Sequence, residues 1–258
     1  MTRELEVATA AAKAAGEVLR RGFGRDLNVR YKGEVDLVTE ADERAEQEIK
    51  EILQEAFPTC EILTEESGRL EGEGEARWIV DPLDGTTNYA HEMPIFATSI
   101  ALEREGELIL GVVHDPMAEE TYTAEREGSA TLNGHSIRVS DTDELIRALL
   151  ATGFPYDRQA IQTTLDLFGR FAVLTQSMRR LGSAALDLCY VAAGRLDGYY
   201  ERGVWPWDIA AGALILEESG GKATDYQGHK LDLEGGEIVA SNGQLHPSLI
   251  GVTSGSHS

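Results

Sequence analysis

The chain has 258 residues, 42% hydrophobic and 26% charged, which are the proportions of a globular protein with a substantial core in one large or two modest domains. Its 23 basic residues against 45 acidic give a net charge of −22, and lysine occurs only at 13, 32, 50, 222 and 230. That balance argues against nucleic acid and anionic membranes as partners, because both are recognised by Lys and Arg.

The longest apolar runs, such as 209–216, fall well short of the roughly 18 residues of a membrane-spanning helix. The start, Met1-Thr2-Arg3-Glu4-Leu5-Glu6, has no secretory pattern. Cys60 and Cys189 are far apart and form no CxxC, so two reduced, partly buried thiols are expected. Together these features point to the cytoplasm.

In chain order, residues 2–22 predict an amphipathic helix, with Leu5, Ala8, Ala12, Ala15, Leu19 and Phe23 at helical spacing and Gly22 and Gly24 to end it. Residues 32–39 read as a turn or short extended piece. Thr39 and Asp42 have the spacing of a capping box, with Asp replacing the usual Glu or Gln. The helix they open turns Ala45, Ile49, Ile52, Leu53 and Ala56 inward. On this segment alone, Asp42 is helix-start electrostatics. A short strand, Glu61-Ile62-Leu63, then runs into Thr64-Glu65-Glu66-Ser67-Gly68, a loop able to aim one glutamate at a site.

The stretch Trp78-Ile79-Val80-Asp81-Pro82-Leu83-Asp84-Gly85-Thr86-Thr87-Asn88 predicts a buried strand ending at Asp81 and a helix starting near Asp84 or Thr86. Strands follow over 96–103, 108–114 and 121–124, and Asn133-Gly134 is a hairpin turn signal. The first half, 1–145, is therefore two helices and a mostly antiparallel sheet. The second half, 146–258, opens on extended residues 148–152. It continues with a helix over about 158–171, a strand over 173–177, a helix over 183–193 and a strand over 197–201. Trp205-Pro206-Trp207-Asp208 leads into a helix over 209–218, ended by Gly220-Gly221. A strand at 237–241, a short helix around 245–250 and a frayed tail from 253 complete the chain. With no repeat or clear linker, the two halves are expected to pack as one unit.

The sequence contains no Gly-x-Ser-x-Gly, no HExxH, no P-loop and no GxGxxG. Acids remain. Glu65, Asp81, Asp84 and Asp208 each lie where an apolar element meets a loop or helix start. Brought together, such groups repel one another unless cations intervene, and hard divalent cations with oxygen ligands match them. Two such ions suit in-line displacement at phosphorus. Haloacid-dehalogenase phosphatases use Asp-x-Asp-Gly-Thr, whereas Asp81 and Asp84 are three residues apart, which disfavours a covalent aspartyl-phosphate route.

Asp81-Pro82-Leu83-Asp84-Gly85-Thr86-Thr87-Asn88 resembles the inositol monophosphatase signature, and Trp207-Asp208-Ile209-Ala210-Ala211-Gly212 resembles that family's second signature. Asp36-Leu37-Val38-Thr39 through Asp42, Glu65-Glu66-Ser67, Gly182-Ser183-Ala184 and Tyr199-Tyr200-Glu201 are similar to its other blocks. The likeness runs from about residue 5 to 250. It implies an α+β fold, the layered α-β-α-β-α sandwich of the inositol monophosphatase and fructose-1,6-bisphosphatase type, commonly lithium-sensitive and homodimeric. It also implies Mg²⁺-dependent hydrolysis of a phosphomonoester. By the same resemblance Glu65, Asp81 and the Leu83 carbonyl hold one Mg²⁺; Asp81, Asp84 and Asp208 hold a second; a third ion near Glu65 occurs in some members. Thr86, supported by Asp42, orients the attacking water. Gly85 and Thr86 bind phosphate through N–H groups, with Thr87 beside them. Gly182, Ser183, Ala184 and Glu201 line the substrate pocket. Thr87-Asn88 is similar to inositol phosphatases, where 3′-phosphoadenosine phosphatases tend to have lysine. The substrate expected is a phosphorylated polyol, myo-inositol monophosphate first. Fructose 1,6-bisphosphate, histidinol phosphate and nucleotide phosphates are the alternatives within the fold. A non-catalytic binding or regulatory protein is the alternative from another class.

Overall fold

Thr2 starts the first helix, α1 (Arg3–Gly22), its hydroxyl accepting from the Leu5 N–H. Glu4 and Glu6 in the first turn and Arg20 and Arg21 in the last complement the helix dipole. A computed structural model describes this chain over residues 2–25, 30, 31, 37–155 and 161–255. Most of the extended piece expected at 32–39, including Asp36, and the expected helix start near 158 lie outside the described residues.

A two-stranded ribbon, β1 (Arg30–Tyr31) and β2 (Leu37–Val38), precedes α2 (Glu40–Ala56). Eight strands then form one sheet. They are β3 (Glu61–Thr64), β4 (Gly68–Leu70), β5 (Ala76–Asp84), β6 (Ala97–Arg104), β7 (Glu107–Asp115), β8 (Glu120–Glu125), β9 (Thr131–Leu132) and β10 (His135–Ser136). Their order is β10-β9-β8-β7-β6-β5-β3-β4, antiparallel throughout except for the parallel pair β3 and β5. A five-residue helix, α3 (Thr86–Ala90), follows β5. The hairpin expected at Asn133-Gly134 is present, both residues taking the positive φ that a type I′ turn requires.

The remainder builds a second sheet from β11 (Leu149–Thr152), β12 (Ser177–Arg179), β13 (Gly198–Arg202), β14 (Lys222–Thr224) and β15 (Glu237–Ser241), in the order β12-β11-β13-β15-β14. Its helices are α4 (Ile161–Leu174), α5 (Ala184–Ala192), α6 (Pro206–Glu218) and α7 (His246–Thr253). The strand expected over 173–177 is displaced. Val173 and Leu174 are exposed residues of the last turn of α4, and pairing with β11 begins at Ser177. Four apolar residues in a row, Phe171 to Leu174, imitate a buried strand although only Phe171 is fully covered.

Side-chain alternation turns these elements into layers. Trp78 and Val80 point to one face of β5 and pack with Leu5, Ala8, Ala12, Leu19, Ala45 and Ile49 from the α1–α2 pair. Ile79, with Ala97, Ala101 and Val113, points to the other face and meets α5 and α6. That helix pair also covers the near face of the second sheet through Tyr199, Ile238 and Ala240. Leu150, Tyr200 and Val239 on its far face meet Phe171 of α4 and Leu245 and Leu249 of α7. The result is the expected α-β-α-β-α sandwich, in which each fully buried large side chain contributes about 1.5–3 kcal/mol relative to exposure. Both cysteines are free thiols, Cys189 buried and Cys60 partly so.

Candidate active site

The strand expected to stop at Asp81 carries on to Asp84. Asp81 pairs with Ser99 and Asp84 with Ala97, so β5 holds one residue more than β6 between those pairs. Pro82, which has no N–H to give a ladder, sits in this bulge. The bulge is pinned: Thr98 Oγ1 donates to the Pro82 carbonyl at 3.0 Å, and the Leu83 N–H donates to Asp81 Oδ1 at 2.9 Å. The extra residue lets Asp81 and Asp84 approach one place although three positions separate them. Gly85 then turns the chain at φ +104, where a Cβ would stand 3.0 Å from the Ile95 carbonyl oxygen. The helix therefore starts at Thr86.

Thr86 and Asp42 meet, as the sequence predicts. Thr86 Oγ1 lies 3.1 Å from Asp42 Oδ1 and 3.1 Å from the Leu83 carbonyl oxygen. The other Asp42 oxygen accepts from the Thr39 N–H at 2.8 Å and the Thr39 hydroxyl at 2.5 Å, closing the capping box of α2. From the same helix, buried Glu46 accepts from the N–H groups of Glu66 and Ser67 at 3.1 and 3.3 Å. That holds the turn carrying Glu65, whose own N–H bonds the Val80 carbonyl of β5 at 3.3 Å.

Asp208 arrives from the other half of the chain, in the first turn of α6, where its Oδ2 accepts from the Trp205 N–H at 2.7 Å. Ser99 of β6 donates to the Trp207 carbonyl at 3.2 Å, tying that helix start to the first sheet. One carboxylate oxygen each from Asp81, Asp84 and Asp208 lie within 4.8 Å of one another. These three acids could hold a metal ion. Glu65 stands outside that group, on the wall of the same cavity of about 280 Å³.

Electrostatics single the group out. Burial first, then the charges of Glu65, Asp84 and Asp208, push the Asp81 carboxyl well above the usual carboxylate range. Burial and then Asp84 do the same to Asp208. Burial raises Asp84 to about 6 although the Ser183 hydroxyl and the Ala185 and Ala184 N–H groups oppose it. Carboxyls this close, with oxygen donors only, are a set that a hard divalent cation would neutralise.

Of the other residues predicted from sequence, Leu83, Gly85, Thr86, Gly182, Ser183, Ala184 and Glu201 line the cavity, and Asp42 stands behind Thr86. Thr87 does not line it; one step further round α3, it is carried away from the wall. Ser183 has a duty the sequence did not disclose. Its hydroxyl donates to Asp84 Oδ2 at 2.5 Å while its oxygen faces the Leu186 N–H at 3.3 Å as the cap of α5. Asn88 is a clamp, donating to the Ile95 and Leu181 carbonyls, each at 2.8 Å, and so joining the two halves beside the cavity.

Several residues on the wall or behind it had no role assigned from sequence. Gly153 leaves room for Glu201: a Cβ there would stand 2.0 Å from the carboxylate oxygens. Tyr199 donates to Glu201 Oε2 at 2.6 Å, and burial, only partly offset by Tyr199 and Arg180, raises Glu201 to about 7. Arg180 is the only cation among the described lining residues. The Arg179-Arg180 doublet in so acidic a chain was the available signal. Asp187 in α5 is buried with one oxygen lacking any partner among the described residues, and burial, then Glu201 and Asp84, push it well above the usual range.

The acid-lined cavity lies where the ends of β5 and β13 meet the start of α6 in the α-β-α-β-α sandwich. The family model for the inositol monophosphatase family matches residues 1–258, and the chain belongs to that family. It is 46% identical over 248 residues to the inositol-1-monophosphatase of Synechocystis sp., with 95% of this chain and 86% of that one covered. It is 45% identical over 254 residues to the Nus factor SuhB of Pseudomonas aeruginosa, with 95% and 94% covered. The extragenic suppressor protein suhB from Bartonella henselae superposes with a TM-score of 0.95 at 40% identity, covering 98% of both chains. No helix among the described residues is long and apolar enough to cross a membrane.

Proposed function

We propose that the protein is a Mg²⁺-dependent phosphomonoesterase whose substrate is myo-inositol monophosphate, released as inositol and phosphate. The observation that carries this reading is the convergence of Asp81, Asp84 and Asp208 beside Glu65, with the Thr86–Asp42 pair at the same wall. Asp81, Asp84, Asp208 and the Leu83 carbonyl, with Glu65, would hold Mg²⁺, in two or three sites. Bound there, the ions supply charge neutralisation for the phosphate and activation of water. The chain's own residues do the rest. Asp42, fixed through Thr39, takes the Thr86 hydroxyl hydrogen and so leaves the Thr86 oxygen as a hydrogen-bond acceptor that orients the attacking water. Ser183 and two backbone N–H groups hold Asp84 ionised in one orientation. Glu201, steadied by Tyr199, accepts a hydroxyl hydrogen of the leaving alcohol, the mark of a polyol substrate. Gly85 and Thr86, at the turn into α3, face the phosphate.

A phosphate-release screen over inositol, fructose, nucleotide and histidinol phosphates, with Mg²⁺ or excess chelator, tests this. Release from inositol monophosphate only with Mg²⁺ is expected; no release from any phosphate sinks the reading. Lithium inhibition and a dimer by light scattering are expected with it. The name Nus factor SuhB carried by the Pseudomonas relative supports a second reading, a regulatory binding role alongside or instead of catalysis. Tight partner binding that survives loss of the acid cluster would favour it.

A further inference from the structure

We infer that a second cavity, at the far end of α6 from the acid cluster, binds a zwitterionic amino acid with an apolar side chain, its carboxylate on Lys230 and its ammonium on Glu107. The inference stands apart from the phosphomonoesterase reading. This cavity lies between the β6–β7 turn, α6 and the segment that joins β14 to β15, and holds about 360 Å³. That is the small end of the range for ligand pockets, roughly 300–1,000 Å³. It shares no lining residue with the acid-lined cavity. Glu217 on its wall stands roughly 13 Å along the helix axis from Asp208.

The floor of this cavity is apolar. Leu108, Leu231 and Leu233 are partly buried against the core, and the buried Ala213 of α6 and Ala223 of β14 have too little side chain to fill the space between them. Covering such surface stabilises by about 25 cal/mol per Å². The charges around the floor narrow the ligand, because most of them are neutralised within the protein. Arg126 donates to the Leu108 carbonyl at 3.1 Å and to Glu217 Oε2 at 2.7 Å, bracing the turn against α6. Glu103 pairs with Arg77. Glu107 and Lys230 remain. Both are exposed, and neither side chain has a hydrogen bond or ion pair among the described residues, not even with the other. In a chain with 45 acids to 23 bases, a cation with no carboxylate on it is available to one from outside. A carboxylic acid alone would leave Glu107 unmatched, and an amine alone would leave Lys230 so. An amino acid matches both charges and turns its side chain onto the leucines.

The test is calorimetric titration of the full-length chain with L-leucine and L-phenylalanine, in Mg²⁺ and in excess chelator. Saturable binding with a Kd of about 1 mM or tighter, equal in both buffers, is expected for at least one of the two. Glycine, 4-methylpentanoate and 3-methylbutylamine lack in turn the side chain, the ammonium and the carboxylate. Each should bind more weakly than L-leucine by about three-fold or more. Lys230→Met and Glu107→Gln should each weaken binding about three- to five-fold, while Lys230→Arg keeps the cation and the affinity. An unchanged Tm without ligand shows that these surface variants fold. Binding that requires Mg²⁺ would place the amino acid at the acid cluster and overturn the proposal. So would the lack of saturable heat from either amino acid, or equal affinity in wild type and Lys230→Met. None of these outcomes bears on whether the chain hydrolyses phosphomonoesters.

Discussion

The first turns of α2 and α6 use one local device to opposite ends. Each places an aspartate three residues after the cap, and each aspartate accepts the N–H of its cap residue, from Thr39 at 2.8 Å and from Trp205 at 2.7 Å. Asp42 then spends everything inside the protein: one oxygen on Thr39, the other on Thr86. Its burial is complete, and burial raises its carboxyl against the pull of those bonds. Asp208 spends one oxygen on the cap, and its carboxylate converges with Asp81 and Asp84. Helix capping therefore decides where an acid stands, and its company sets the two apart: Asp42 faces a hydroxyl, whereas Asp208 faces two other carboxyls. A carboxylate turned toward a hydroxyl can orient it, whereas one turned toward like charges is placed to share a cation with them, as Asp84 is although the Ser183 hydroxyl and the Ala184 and Ala185 N–H groups also bond it.

The strongest way to break this contrast is to neutralise an acid of the cluster. Asp81→Asn and Asp208→Asn should each cost about 10³-fold or more in kcat/KM, because charge stabilisation in a dry site is the largest catalytic contribution. Neither should cost stability in chelator, since each removes a repulsion, and the rise in Tm on adding Mg²⁺ should shrink. A variant that turns over like the wild type, or one that unfolds, contradicts the ligand role. The wild type gives a matching pH signature. Asp84 keeps its proton to about 6 in the folded chain, against about 4 in an unfolded one. Between those values the folded state binds more protons, so stability in chelator should fall as pH rises through the window and remain low above it. Mg²⁺ should therefore raise Tm more at about pH 7.5 than at about pH 5. An equal shift at both would mean that the cluster is not where the ion binds.

At Asp42 the loss should be smaller and of another kind. Asp42→Asn replaces one acceptor oxygen with a donor, which sets an N–H against the Thr39 N–H or leaves Thr86 unoriented. A stability loss of about 1–2 kcal/mol and a drop in kcat of about 10–100-fold are expected, with the Mg²⁺-induced Tm shift kept. Loss of that shift would make Asp42 part of the ion site and erase the distinction between the two helix starts.

The sequence exposed the acids because each interrupts an apolar run, and it exposed the layers because Trp78, Ile79 and Val80 alternate between two cores. It misplaced the end of β5, since a proline between two acids reads as a strand stop, whereas here it occupies a bulge held by Thr98. The strand expected at 173–177 failed for a related reason: apolar letters do not say whether anything covers them, and nothing covers Val173. The acid ligand candidates were legible because each follows directly on apolar residues, as Asp81 does after Trp78-Ile79-Val80. The supports were not. Asn88, Gly153 and Tyr199 act across the fold, through carbonyls and through space that no local pattern encodes.

Glu46 offers the finest test of the same contrast, since it lies one helical turn beyond Asp42 and is likewise spent inside the protein. Its Oε2 accepts the N–H groups of Glu66 and Ser67, and Lys50 Nζ stands 3.3 Å from its other oxygen and 3.1 Å from the Ser67 hydroxyl. Burial works against its charge, but the bonds to Ser67, Thr64 and Lys50 outweigh it and hold the carboxyl below its ordinary range. The α2 helix thus steadies two parts of the cavity wall, Thr86 through Asp42 and the Glu65 turn through Glu46. In Glu46→Gln an amide oxygen can still accept from the turn, so the variant should lose only the ion pair with Lys50, about 0.5–1 kcal/mol, with activity near wild type. In Glu46→Ala two N–H groups lose their acceptor, and the Glu65 turn keeps only its bond to the Val80 carbonyl. The Mg²⁺ concentration for half-maximal activity should then rise about three- to ten-fold with kcat nearly unchanged, less than for a direct ligand because the turn is partly open to water. Titration of Mg²⁺ binding by calorimetry separates the outcomes. Equal Mg²⁺ affinity in wild type and Glu46→Ala would show that Glu65 needs no support from α2, or that Glu65 does not touch the ion.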